Sequence, residues 1–301
     1  MTQSSSAPFA IAPPLPDIIS TRPYRGGLRG IVNRHFAASL GAAVLIVLII
    51  VAIFAPYLGT IDPIAINPGL RARAPSAAAW FGTDVLGRDI YSRVVFGTRV
   101  SLTVGFAVAI LATGIGTLIG LICGYVRSID SIVMRLMDAV MSIPSILLAI
   151  ALVALTRASV GNVIAAIVVA EIPRVARLVR GVVFSLRELA YVEAAVSSGS
   201  SGSFILLRHI LPNAIAPIIV QATYICASAM IVEATLSFIG AGTPPTTPSW
   251  GNIMADGRAL WQVKPYIVLF PAAFLSLTVL SVNMVGDGLR DALDPRMAKV
   301  S

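Results

Sequence analysis

Residues 100–126 read VSLTVGFAVAILATGIGTLIGLICGYV, without one Asp, Glu, Lys or Arg. About 20 apolar residues in an α-helix cross the ~30 Å hydrocarbon core of a bilayer. The run therefore reads as a membrane-spanning helix. Four more uncharged runs accompany it: Phe36 to Leu58, Ala139 to Thr156, Ala214 to Val232 and Pro265 to Gly286. A sixth, Ala158 to Ala170, is short and is followed by Glu171, Pro173 and Arg174. Extended to about Gly181, its last turns leave the membrane near Arg174 and Arg177. The expectation is an all-α membrane protein with six transmembrane helices.

The composition agrees. Of the 301 residues 57% are hydrophobic and 12% charged, where a soluble domain has about a quarter charged. The mean hydropathy is +0.89. The formal charge of +8 would suggest nucleic acid in a soluble chain. Here the basic residues lie between apolar runs, which points to topology control and anionic lipid and away from nucleic acid. Met1 to Ser20 lacks a charged start followed by an apolar core, so no cleavable signal is expected. Residues 1–35 read as a proline-containing polar tail. With the N-terminus inside, 14 of the 22 Lys and Arg residues fall on inner segments. That bias places both termini in the cytoplasm.

Several chemistries lack their raw material. The only lysines, Lys264 and Lys299, follow no glycine-rich phosphate loop, so ATP hydrolysis is not expected of this chain. The two histidines, His35 and His209, are far apart, which leaves little for metal or histidine-assisted catalysis. No metal or cofactor site is expected. Cys123 and Cys226 lie in separate apolar runs and read as buried free thiols. A self-sufficient secondary transporter would show repeated halves or paired mid-membrane charges, and neither is evident. Glu171 and Glu233 are candidates for the translocation path, because ionisable residues inside a membrane are functional by default. Glu171 has a plainer reading as a partner of Arg174 three residues on.

The inner segment after the fourth span is long, about Val182 to Asn213. It holds Glu193, Ala194, Ala195 and Gly199, then Ser200 to Leu207, then Arg208, His209, Ile210, Leu211, Pro212 and Asn213. The spacing predicts one short helix from near Leu189 and a second over Phe204 to Leu211, ending before Pro212. The residues alone admit two readings: a docking knob for a partner's groove, or an amphipathic linker on the membrane surface. Between the first two spans, Asp84, Arg88, Asp89 and Arg93 stand at near-helical spacing. They read as an amphipathic helix with paired charges or as a solvated surface helix. After the fifth span, Pro244, Pro245 and Pro248 precede Trp250. That turn reads either as contact with an extracytoplasmic protein or as an interfacial anchor.

The inner segment resembles the coupling loop of ABC importer permeases, whose pattern is E-A-A, three residues, G, then a run ending I-x-L-P. Glu193, Ala194, Ala195, Gly199, Leu211 and Pro212 match, and the pattern's isoleucine falls on His209. The run Arg208 to Asn213 is similar to the peptide branch of that family. Residues 81–102 resemble the LGTDxLGRDxxSR segment of the C-type permease of the dipeptide, oligopeptide and nickel group. Residues 236–251 resemble its LSFLGLG…PPTPSWG loop, with Thr246 at one proline. Residues 286–296 resemble its tail, expected to form a short helix stopped by Pro295. One departure is Ser200, Ser201, Gly202 and Ser203, where the family often has charged or bulky residues. Poor helix formers there imply a looser loop.

The resemblance implies a type I ABC importer permease fold with cytoplasmic coupling helices. Its parts are a tail at 1–35, a first helix at 36–58 and an outer loop at 59–97. A five-helix core follows at 98–286, with a coupling loop at 185–213, and then a tail at 287–301. It implies a bacterial inner-membrane subunit moving di- or oligopeptides, with glutathione or nickel complexes as alternatives. It also implies the partners: a second homologous permease, two ATP-binding subunits that hold ATP and Mg, and an extracytoplasmic substrate-binding protein. Pro245, Pro248 and Trp250 would then face that binding protein.

Overall fold

The computed structural model describes residues 36–293, and these are helical with connecting loops. The helices are α1 (Phe36–Ile53), α2 (Ile90–Tyr125), α3 (Arg127–Met141), α4 (Ser145–Leu155), α5 (Val160–Arg187) and α6 (Ala190–Ser197). Then come α7 (Gly202–Phe238), α8 (Trp250–Gly257) and α9 (Tyr266–Leu293). The expected tail 1–35 and Pro295 lie outside the described residues.

α2 is the central column. One face of it carries only small residues: Gly97, Ser101, Gly105, Ala109, Ala112, Gly116, Gly120 and Gly124, all buried. A lipid surround gives no hydrophobic drive for helices to associate, so close backbone approach must supply the attraction. A Cβ at Gly116 would fall 2.5 Å from Val175 Cβ, one at Gly120 2.6 Å from Ala176 O, and one at Gly124 2.6 Å from Val183 Cβ. α5 therefore lies directly against α2. Higher up the same face, a Cβ at Gly105 would meet Met230 and Cys226 of α7. Both Cys123 and Cys226 are buried free thiols.

The order of these contacts gives the directions. Residues 116, 120 and 124 meet 175, 179 and 183 in the same order, so α2 and α5 run parallel. The chain between them must cross back. It does so as a broken pair, α3 and α4, bent by 88° at a short break. The expected straight span Ala139 to Thr156 is corrected here. Pro144 has no N–H and disfavours helix at Ile143, so α4 has only 11 residues, about 16 Å of rise. α3 is instead tied to α5 by ion pairs. Arg180 Nε and Nη2 donate to Asp130 at 2.5 and 2.6 Å, and Arg177 pairs with Asp138.

By length and composition four helices are able to cross a membrane, and five if the bent pair counts as one span. α5 fails that test because Glu171, Arg174, Arg177, Arg180 and Arg187 crowd it. It belongs to the bundle by its packing on α2. Other boundaries also differ from expectation. α1 ends at Ile53 and a 3-10 turn follows at Ala55–Tyr57, with Pro56 as its second residue. α2 starts at Ile90, so the outer loop ends before residue 97. The expected short tail helix is the end of α9, which runs through Gly286 and Gly288 to Leu293. Those two glycines admit Thr223 of α7 and Ala38 of α1.

A matched pair of substitutions tests the central seam. Gly114 also lies on α2 but has nothing near its Cβ position. Gly114→Ala is expected to be neutral or to stabilise by up to ~1 kcal/mol. Gly120→Ala is expected to destabilise by about 1–3 kcal/mol through overpacking. Thermal melts of the two purified variants in one detergent decide.

Candidate functional site

The inner segment folds into a compact knob. α6 ends at Ser197, and Gly199 two residues on has a left-handed φ of +76°. Ser200 N donates to Ala195 O at 3.1 Å and Gly199 N to Val196 O at 3.0 Å, closing the helix end in the manner of a Schellman cap. Space is open around Gly199, so the backbone angle, not crowding, requires glycine there. Glu193, Ala194 and Gly199 are exposed and Ala195 is half-buried.

Within the Ser-Gly run, Gly202 packs closely against α2. A Cβ at Gly202 would lie 2.7 Å from the Tyr125 ring at the end of α2. Val192, Ile205 and Ile210 are buried and seat the knob on the bundle. His209 lies between Tyr191 and Phe204, with ring centroids 6.2 and 5.7 Å away. Asn213 Nδ2 donates to His209 O at 2.6 Å and to Tyr191 Oη at 3.3 Å. Sequence reading singled out His209 only by its place in a pattern; its role as the filling between two aromatic rings emerges only from the packing.

The second expected helix does not stop before Pro212. It continues through a π turn at Leu206–Ile210 into the span, ending at Phe238. The wider turn accommodates a ring that clashes with the carbonyl four residues back and lacks an N–H. Leu211 is half-buried and Pro212 exposed. Beside them a cavity of about 750 Å³ opens between α5, α7 and α9, lined by Asn213, Gln221 and Arg290 among others. Gln221 Nε2 is buried there without a hydrogen-bond partner.

On the opposite side, the outer loop folds against α8. The near-helical charge spacing does not make a helix; Asp84 and Arg88 sit in a turn. Gly87 there has a φ of +77°, and the carbonyl of Asn67 occupies its Cβ position. Asp84 is fully buried and Arg93 is 1% exposed. Asp84 Oδ2 accepts from Arg88 Nε at 2.6 Å and from Arg93 Nη1 at 2.5 Å. Asp256 Oδ2 accepts from the same two guanidiniums at 2.6 and 2.7 Å. Asp89 instead caps α2, accepting from Ser92 N at 2.7 Å. The charges are therefore neither solvated nor paired along one helix.

Trp250 is fully buried. Its indole N–H donates to Val94 O at 3.1 Å, and the ring lies over Gly97. Both the partner-contact and the interfacial-anchor readings of Trp250 are corrected: the side chain fills a small core with Ile90, Val94, Ile253 and Ile267. Pro245 is exposed and Pro248 half-buried. Asn252, which sequence reading passed over, holds their loop. Its amide donates to Thr243 Oγ1, Pro244 O and Thr247 O at 2.9, 2.9 and 3.0 Å.

Neither membrane acid faces open space. Glu233 is fully buried and accepts from Ser237 Oγ at 2.8 Å, in the same polar cluster as Thr243, Ser249 and Asn252. Glu171 is 2% exposed and accepts from Arg174 Nη1 at 3.0 and 2.8 Å. Enclosure among protein atoms in the single chain keeps both from lining a path in this conformation.

Residues 116–299 match the family of binding-protein-dependent transport system inner membrane components. The chain is 49% identical over 267 residues to a probable peptide ABC transporter permease of Sinorhizobium fredii, covering 88% of this chain and 91% of that one. It is 43% identical over 298 residues to a dipeptide transport system permease of Alkalihalophilus pseudofirmus, covering 99% and 96%. A glutathione transport system permease of Pectobacterium atrosepticum is 40% identical over 298 residues, covering 97% of each. Among solved structures, an inward-facing MetNI methionine ABC transporter superposes with a TM-score of 0.58 at 20% identity, over 67% of this chain and 96% of that one. That likeness bears on the fold alone.

Removing one partner from a buried charge cluster costs about 3–5 kcal/mol. Asp84→Ala is expected to lose stability in that range. Replacing Asp84 by Leu together with Arg93 by Met should cost less than Asp84→Ala alone, because no buried charge is then stranded. Detergent melts of the two variants check the order.

Proposed function

We propose, from the premise that the chain belongs to the family of binding-protein-dependent transport system inner membrane components, that it is a permease subunit of an ATP-driven importer of di- and oligopeptides. It is a multi-pass membrane protein and a transport subunit, not an enzyme. The peptide assignment follows relatives at 43–49% identity whose names specify peptides or dipeptides. Relatives named for glutathione stand at 40–42%. Glutathione is itself a short peptide, so it remains the second reading for the same subunit.

The observation that carries the mechanism is the knob. Phe204 is 51% and Leu207 64% exposed, and with Arg208 they line a cavity of about 440 Å³. Exposed apolar side chains beside charge suit a protein partner. Phe204 and Leu207 lie on the first turns of a 37-residue helix, Gly202–Phe238, so this part of the knob is joined mechanically to the span. On this reading Glu193, Ala194, Ala195 and Gly199 seat in a cleft of an ATP-binding subunit. His209, Leu211 and Pro212 brace the joint. Two such subunits hold ATP and Mg, and a second permease completes the path. ATP and substrate-loaded receptor bind the two access states with different affinity, and that difference drives the change. Pro245 on its braced loop offers a contact for the extracytoplasmic receptor, with Pro248 behind it. The cavity at Gln221 supplies polar lining for the inner half of the path. Both termini lie in the cytoplasm on this reading, following the basic-residue bias.

Two measurements test it. Gly199→Val forces a β-branched residue into a left-handed backbone, at about 1–2 kcal/mol of local strain. Peptide uptake is expected to fall to background and the ATP-binding subunits to be lost on purification, with the amount in the membrane unchanged. Unchanged uptake removes the docking role. Separately, a cytoplasm-active reporter fused after Ser301 is expected to be active; an external signal reverses the orientation.

A further inference from the structure

A groove runs along α2 beside α1 and is joined by α7 and α9 at its lower part. Its upper part, about 570 Å³, opens between Ile49 and Ile53 of α1 and Leu102 of α2. Its lower part, about 400 Å³, lies deeper in the bundle where α1, α2, α7 and α9 meet. Phe106 and Ile110 line both parts, so the two adjoin along α2. The lining is mostly apolar, with Thr103, Thr113 and Thr223 as neutral polar residues and a single charged residue. Arg99 stands at the upper mouth.

Arg99 is poorly engaged by protein. Its Nη2 donates to Ile53 O at 3.4 Å, and its guanidinium lies 6.0 Å from the Phe96 ring. It has no ion pair among the described residues. The neighbouring Arg88 and Arg93 are held in the buried charge cluster. A cation at the interface with apolar surface below it calls for an anion attached to an apolar chain. Length agrees. From Arg99 to Gly114, the lowest α2 residue of the groove, the helix rises about 22 Å. One leaflet with its headgroup zone is about 20–22 Å thick.

We propose that this groove is a built site for one phospholipid, in the leaflet on the side of the 59–89 loop. The phosphate pairs with Arg99, where a guanidinium fork matches phosphate oxygens. One acyl chain lies along Leu102, Phe106 and Ile110 and fills the seam that α1 leaves open against α2. Under the orientation proposed above this is the outer leaflet. The site itself does not depend on that orientation or on the cargo.

The test titrates dioleoylphosphatidylglycerol into the delipidated transporter, assembled with its partner subunits, and counts bound lipid by native mass spectrometry. Dioleoylglycerol, with the same chains and no phosphate, is the second probe. The wild type is expected to retain the phospholipid and not the diacylglycerol. Arg99→Gln is expected to weaken phospholipid retention about five-fold, the scale of one basic residue at a lipid surface. Ala107→Phe, which fills the upper groove, is expected to abolish it. Leu118→Phe, exposed on α2 outside the groove, should leave it unchanged, with melts confirming that all three variants fold. Retention equal to wild type in both groove variants overturns the site. So does binding by the isolated full chain but not by the assembled transporter, which would mean that the second permease covers the groove. Neither result bears on uptake, so failure here leaves the importer reading standing.

Discussion

Close approach of backbones along one face of α2 is the constraint on which the other parts depend. A bilayer does not drive apolar helices together, so helices stay together where their surfaces fit at short range. α2 meets this with a small residue at nearly every turn of one face. α5 takes the inner half of that face and α7 the outer half. Both ends of the column then carry attachments. The outer end is capped by Asp89 and reaches into the charge cluster through Arg93. The inner end offers Tyr125 to Gly202 and the Gly124 carbonyl to Arg187. Positions on both sides of the membrane are thus referred to one rod.

The outer assembly solves a different problem. Its loop is long, irregular and rich in polar backbone, and such segments need internal partners when covered. Asp84 gives both carboxylate oxygens to the loop and to α2, and Asp256 of α8 closes the cluster from across the fold. Asn252, two residues after Trp250, collects carbonyls of the proline-rich turn. Segments more than 150 residues apart in sequence become one body through a few charged and amide side chains. The indole N–H of Trp250 adds a tie to α2.

Much of this was legible in the chain, and the failures have physical reasons. Long uncharged runs located α1, α2, α7 and α9, because a single apolar solvent imposes a single rule on composition. α5 was legible as a helix from its uncharged start, but its charged end keeps it out of the helices able to cross a membrane by composition, and its packing on α2 places it in the bundle. The bend at Pro144 sat inside an apolar run where hydropathy alone reports no break. Asp84, Arg88 and Arg93 mimicked a helical stripe, because spacing of three to five residues also arises in a tight turn entering a helix. Trp250 looked interfacial because aromatic residues near prolines often are; its burial depended on Gly97, far away in sequence. The small-residue face was present as GxxxGxxxG at 116–124 and would have signalled the seam. Asn252 left no local signal, since its partners are carbonyls of a loop whose shape it helps to create.

The π turn at Leu206–Ile210 has a geometric meaning beyond relieving Pro212. A π turn inserts the equivalent of one extra residue into an α-helix, and one residue is 100° of rotation. It therefore sets the angular phase between the knob and the long apolar helix that follows. Phe204 and Leu207 face outward from the knob while Ile225, Met230 and Glu233 turn toward the bundle on the same continuous helix. With a regular helix in place of the π turn, the knob would point about a quarter-turn away from its present heading, with every side chain otherwise unchanged. The heading of the exposed knob residues is in this sense a matter of helical timing as much as of which residues are displayed.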